Sequence, residues 1–160
     1  MRGYLKISSK DFTGAKNDFI GALVYDEESV YSLYCLSSIY NLQTINDSAL
    51  YYINRAINIK IKGNYVINVN NDFSQKFDVK FDKLVFLRGT INYEVGKVIS
   101  AKRDFIEATR LGYDLGEAYG YLSEVYFKLN NIDSSCYYHI EANRRSYYEI
   151  ADTSIKFNCH

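Results

Sequence analysis

Leu87-Arg-Gly-Thr-Ile-Asn-Tyr-Glu-Val-Gly-Lys-Val-Ile-Ser-Ala-Lys-Arg-Asp-Phe-Ile-Glu-Ala-Thr-Arg-Leu111 is the stretch whose reading decides the fold. Upstream of Gly96, the apolar residues Leu84, Leu87, Ile91 and Val95 follow the spacing of three and four that places side chains on one helical face. Downstream, Val98, Ala101, Phe105, Ala108 and Leu111 do the same, and Gly112 supplies a stop. Gly96 can take the left-handed conformation that ends the first helix. The stretch therefore reads as an antiparallel hairpin of two short helices.

Copies of the hairpin recur. The second helix carries the triplet Ala101, Phe105, Ala108, and the same spacing returns as Ala15, Phe19, Ala22, as Ala49, Ile53, Ala56, and in degraded form as Ser135, His139, Ala142. The first members stand at 15, 49, 101 and 135, so the steps are 34, 52 and 34 residues, the odd one being 34 plus an insertion of 18. Repetition at such a period marks stacked supersecondary units that bury a continuous core together.

On these residues the chain resembles the tetratricopeptide repeat (TPR) family, whose unit is a helix-turn-helix of about 34 residues with a small residue and then an aromatic in its second helix. The first-helix signature is met by Leu33, Leu36, Ser37 and Tyr40, by Tyr119, Leu122, Ser123 and Tyr126, and less fully by Val85, Arg88, Gly89 and Asn92. The chain lacks Trp and Pro altogether, and Glu27, Ile61, Tyr113 and Tyr147 stand where the family's unit-ending Pro would be. The resemblance implies an all-α fold, a right-handed α-α superhelix of about four helix-turn-helix repeats. It brings no family-wide catalytic residue.

Residues 1–160 are read as one such domain, with repeats at about 1–28, 29–62, 82–115 and 116–147. The first repeat is incomplete, because only its second helix follows Gly3. This suggests a fragment of a longer solenoid, with Leu5 and Ile7 on an apolar flank open to self-association. Helices are expected over Asp11 to Tyr25, Val30 to Leu42, Asn46 to Ile61, Gly116 to Lys128 and Ile132 to about Ser146. Ser29 is the expected cap of the second of these, and Asn46 or Asp47 of the third. The insertion, 63–81, alternates apolar and polar residues in Lys76 to Phe81 and reads as a short loop or β-hairpin between repeats two and three. Tyr148, Ile150, Ala151 and Ile155 continue an apolar stripe, which suggests a capping helix over 148–157.

Composition narrows the work this chain can do. Lys plus Arg equals 19, as does Asp plus Glu, so electrostatic attraction to nucleic acid or anionic lipid is weak. No apolar run reaches the length of a membrane span and no hydrophobic signal segment opens the chain, so the expectation is a cytoplasmic protein; export is compatible if an upstream signal is removed. Cys35, Cys136 and Cys159 form an odd and widely spaced set, which reads as buried reduced thiols rather than a disulfide framework or metal site. Cys136 and His139 lie three apart on one helical face, the spacing of a thiol-imidazole pair or half a metal site. Yet His139 occupies the aromatic place of the triplet, where packing explains it. No phosphate loop or catalytic triad order is present, so no catalytic residue, metal or cofactor is expected.

What remains is binding. In proteins of this resemblance the non-core face of the first helices lines a concave groove for extended or helical peptides. By helical phase that face carries Tyr31, Tyr34, Ser38 and Asn41 in the second repeat, Lys83, Phe86, Thr90 and Tyr93 in the third, and Glu117, Gly120, Glu124 and Phe127 in the fourth. Aromatic anchors with polar tips suit such a surface. A terminal carboxylate ligand, held in some members by Lys, Asn and Arg, would find too few donors here, Lys83 being the nearby cation. The expected function is a non-enzymatic scaffold that holds a protein or peptide. The alternatives are a small secretion-type chaperone for an apolar effector segment and a structural module of a longer repeat protein.

Overall fold

The computed structural model describes residues 6, 9–63, 78–145 and 159. Among them are seven α-helices and no strand. The chain divides into two compact units, Met1–Leu84 and Val85–His160.

In the amino-terminal unit, α1 (Phe12–Tyr25), α2 (Val30–Leu42) and α3 (Asn46–Lys62) pack in sequence. The α1 start is set by Asp11, whose carboxylate accepts the Gly14 N–H at 2.9 Å. Ala15 and Phe19 of α1 meet Cys35, Leu36 and Ile39 of α2, and half-buried Tyr31, Tyr34, Tyr40 and Tyr52 pack against this core. Two of the expected caps are otherwise. Ser29 stands at the start of α2, but its hydroxyl pairs with that of Ser32 at 3.0 Å and caps no backbone N–H. A neighbouring hydroxyl one turn on competes for the same group. Before α3 the cap position is Ile45, which has no acceptor; Asn46 and Asp47 are already helical, and Asp47 acts there on the helix dipole instead.

In the carboxy-terminal unit, the body of α4 (Phe81–Glu94) is followed by α5 (Val98–Arg110), α6 (Leu115–Lys128) and α7 (Ile132–Arg144). Gly96 takes φ 76° and closes α4: its N–H reaches the Tyr93 carbonyl at 3.1 Å, and the Lys97 N–H reaches that of Asn92 at 2.8 Å. Gly89 has a different reason to be glycine. A Cβ built on it would stand 2.8 Å from Phe105 Cε1, so the Phe105 ring of α5 lies against α4 where there is no room for a side chain. Beside it Asp104, 6% exposed, accepts from Arg88 Nε at 3.0 Å, Arg88 Nη2 at 2.6 Å and Asn92 Nδ2 at 2.9 Å. These bonds satisfy a carboxylate that burial alone would penalise heavily. Arg88 and Asn92, which fit the first-helix signature poorly, hold that carboxylate.

The two units repeat one another at an offset of 86 residues. Ala15 and Ala101, Phe19 and Phe105, Leu36 and Leu122, and Ser37 and Ser123 are equivalent, and all are buried. The left-handed turn residue Thr44 (φ 57°) matches Asn130 (φ 56°). The stacked pair Tyr40–Tyr52, centroids 5.5 Å apart, matches Tyr126–Tyr138 at 5.4 Å; Lys16 lies over Tyr40 as Lys102 lies over Tyr126. At the small place of the first helix a serine hydroxyl bonds a carbonyl across the pair in both units, with donor and acceptor exchanged. Ser37 donates to the Ala49 carbonyl at 2.9 Å, and Ser135 donates to the Ser123 carbonyl at 2.9 Å, so in each unit a hydroxyl ties the paired helices together. The fold is thus an all-α helical repeat.

Three expectations lie outside the described residues: the hairpin or loop over most of 63–81, the capping helix over 148–157, and the flank at Leu5 and Ile7. Where the chain is described again, Val79 is buried and Asp78 pairs with Lys60 at 2.5 Å.

The cysteines require a correction. Cys136 and Cys159 are joined in a disulfide with Cα atoms 5.1 Å apart, and Cys35 is the free, buried thiol. Wide spacing in sequence does not limit which cysteines a fold brings together.

Candidate partner-binding face

The carboxy-terminal unit gathers five aromatic side chains, Phe86, Tyr93, Phe105, Tyr113 and Tyr121, at one place. Tyr121, on the middle turn of α6, is the hub: its ring lies 5.5 Å from Phe86, 4.9 Å from Phe105 and 6.0 Å from Tyr93, centroid to centroid. Phe86 in turn stacks on Tyr113 at 4.0 Å. Two carboxylates border this cluster. Glu117 accepts from the Tyr113 hydroxyl at 2.7 Å, and Glu124 accepts from the Tyr93 hydroxyl at 2.5 Å. The Lys128 ammonium sits 3.8 Å from the centre of the Tyr93 ring, close enough for a cation–π contact.

The α6 contribution follows from helical phase. Glu117, Tyr121, Glu124 and Lys128 are spaced four, three and four apart, which is one stripe along the helix. Asp114 starts that helix, its carboxylate accepting the N–H groups of Gly116 at 2.9 Å and Glu117 at 3.2 Å, so the first turn carrying Glu117 is held in place.

The side chains expected on the groove fall into distinct settings. Tyr93, Glu117, Glu124 and Phe127 are half-buried and part-open to solvent. Phe86 and Thr90 are buried, at 6% and 8%, with the Thr90 hydroxyl bonded to the Leu87 carbonyl at 2.8 Å. They therefore support the face from beneath. Lys83 is exposed. In the amino-terminal unit, Tyr31 packs edge-on to Phe19 at 6.1 Å, and Tyr34, Ser38 and Asn41 are half-buried along α2. Sequence reasoning passed over Tyr113, Tyr121 and Lys128. The stripe of Glu117, Tyr121, Glu124 and Lys128 was the available signal.

The other candidate chemistry dissolves in the structure. The Cys136 sulfur is bonded to that of Cys159, and His139, 7% exposed, lies 3.0 Å from the Asn143 amide through Nε2. An oxidised sulfur cannot act as a thiolate nucleophile or metal ligand. Among the described residues no group of three His, Cys, Asp or Glu side chains is placed to hold a metal ion. Burial pushes the remaining thiol, Cys35, up to about 11, far from a reactive thiolate. No described helix is long and apolar enough to cross a membrane.

No family model matches the chain, and no curated protein matches it. Solved structures do. A crystal structure of MamA superposes at TM-score 0.70 with 17% identity, covering 98% of this chain and 87% of that one. A second MamA structure gives 0.66 with 19% identity over 96% and 69%. PilW, described as a type IV pilus biogenesis factor, gives 0.50 with 16% identity over 91% and 75%. Likeness at these identities bears on the fold, and it agrees with the helix hairpins and the 34-residue steps. The chain has a fold of the tetratricopeptide repeat type.

Proposed function

We propose that this chain is a non-enzymatic protein-interaction module whose carboxy-terminal unit docks a peptide or a partner helix on the α4–α6 face. The observation that carries this reading is the internal repeat. At the 86-residue offset many packing residues of the two units coincide, whereas Glu117, Glu124 and Lys128 stand where the first unit has Tyr31, Ser38 and Leu42, and Tyr121 takes the place of the buried Cys35. The same hairpin folds with either set, so folding does not call for the charged residues Glu117, Glu124 and Lys128. A part-exposed aromatic cluster bordered by hydroxyl-held carboxylates suits recognition, because rigid rings bury much area at small entropic cost. Tyr31, Tyr34, Ser38 and Asn41 with Lys83 form the corresponding candidate surface of the amino-terminal unit.

Selection of a phage-displayed random dodecapeptide library on the immobilised chain tests this. Enriched peptides should bind wild type and lose affinity by about tenfold or more for a Tyr93→Ala, Phe127→Ala variant that circular dichroism shows to be folded. Peptides that bind both chains equally would remove the face from consideration.

The disulfide bears on where this work is done. Pairing of Cys136 with Cys159 favours an oxidising compartment over the cytoplasm expected from the sequence, and it weighs against a cytoplasmic secretion chaperone. Alkylation of the native protein without reductant, read by mass spectrometry, should modify no cysteine until the chain is unfolded, and then Cys35 alone. Ready labelling of Cys136 in freshly isolated protein would refute this placement.

A further inference from the structure

We infer that the partner is basic: the α4–α6 face of the carboxy-terminal unit takes lysine or arginine side chains of a peptide segment, between Glu117 and Glu124 and over the rings of Tyr93 and Tyr121. This rests on the docking face proposed above and adds the chemistry of its occupant.

Two separate features point to a cation. The first is charge. Glu117 and Glu124 each receive a tyrosine hydroxyl on Oε2, and neither forms an ion pair among the described residues, whereas Asp104, Glu107 and Glu141 of the same unit are all paired with arginine. The hydroxyls orient the carboxylates without neutralising them. A carboxylate on this face can thus pair with a basic group that a ligand supplies.

The second is that the face already holds an ammonium. Lys128, one turn beyond Glu124, places its nitrogen 3.8 Å from the Tyr93 ring centre, which shows that the ring attracts a cation. Two carboxylates against one ammonium leave the stripe net negative. The first unit, with Tyr31, Ser38 and Leu42 in the equivalent places, has no such field.

Spacing makes the inference specific. Glu117 and Glu124 are seven residues apart on α6, so at the rise of an α-helix they lie about 10 Å apart along its axis. Basic residues match that distance when about three positions apart in an extended polyproline-type segment, or about seven apart in a helix.

The dodecapeptide selection separates the two readings. Enriched peptides should carry lysine or arginine at one of these spacings and be depleted in aspartate and glutamate. Their affinity should fall by about tenfold or more for Glu117→Gln, Glu124→Gln, the loss of two charge-assisted contacts. It should also fall with rising salt for wild type, a readout that needs no variant. Lys128→Met should tighten binding by about twofold to fivefold, because a competing cation leaves the ring. Peptides without basic residues that still depend on Tyr93 and Phe127 would overturn the charge assignment and leave the docking face standing. Basic peptides indifferent to the glutamine variant would overturn it as well, and a selection that enriches nothing would overturn both.

Discussion

Substitution of Gly89 by alanine tests the packing of the carboxy-terminal unit most sharply, because two effects of known size oppose each other. Alanine is the better helix former, and in a helix interior the exchange favours the folded state by about 1 kcal/mol. Against this, the new Cβ would stand 2.8 Å from Phe105 Cε1, 2.9 Å from Cδ1 and 3.2 Å from Asp104 Cβ. The Phe105 ring is fully buried between Phe86 at 5.4 Å and Tyr121 at 4.9 Å, so it has nowhere to retreat. Overpacking of this kind costs about 1–3 kcal/mol, and a shift of α5 would also strain the Asp104 bonds, which places the cost at the upper end. The net expectation is a loss of about 1–2 kcal/mol. Gly21 supplies the control, since it lies within α1 and a Cβ there meets nothing within 4 Å. Gly21→Ala should therefore stabilise by up to about 1 kcal/mol. Urea unfolding followed by circular dichroism would read both as shifts of the midpoint at unchanged slope. A Gly89→Ala chain as stable as wild type, or shifted in the same direction as Gly21→Ala, would refute the packing of the Phe105 ring against Gly89.

Three further outcomes are expected. Reduction, or Cys159→Ser, opens a loop spanning 23 residues and should cost about 3 kcal/mol by the loop-entropy relation, seen by calorimetry; an unchanged melting temperature in reductant would contradict the pairing. Asp104→Ala leaves the partly buried Arg88 guanidinium without its counter-ion and should cost about 3 kcal/mol or more, with Asp104→Asn milder because one acceptor survives; equal effects would show that charge is unimportant there. Cys35 has a folded value raised from 9.0 to about 11, so the folded chain keeps a proton that the unfolded chain releases. Its contribution is complete below pH 9 and is lost as pH rises toward 11. The hydroxyls of Tyr52 and Tyr138, raised by burial, act in the same direction, so Cys35→Ala should flatten part of this alkaline fall and leave the remainder.

The helix hairpins were legible in the sequence because their determinants are local. Residues such as Ala101, Phe105 and Ala108 reach one face by spacing alone, and Gly96 and Gly112 announce the turns. The caps were less so. Ser29 has the right chemistry in the right place, yet Ser32 takes its hydroxyl, and α3 begins behind Ile45, which has no capping group. Such choices depend on side-chain competition that spacing does not reveal. The Cys136–Cys159 bond was illegible for a related reason, since pairing follows three-dimensional proximity. Tyr93, Glu117, Glu124 and Phe127, expected on the groove from helical phase, are half-buried and part-open to solvent. Phe86 and Thr90 shared that phase but are covered by neighbours, Tyr113 among them, that phase does not disclose. Tyr121 escaped notice because aromatics in a repeat protein read first as core.

The central claim is that the α4–α6 face of the carboxy-terminal unit is where a partner binds. A nitrogen-15 correlation NMR titration of the wild-type chain with a selected dodecapeptide tests it directly. The largest shifts are expected on Tyr93, Glu117, Tyr121, Glu124, Phe127 and Lys128, with α7 and the buried packing residues of α5 little changed. Shifts centred instead on the exposed faces of α3 or α7, around Tyr51 or Tyr137, would contradict it.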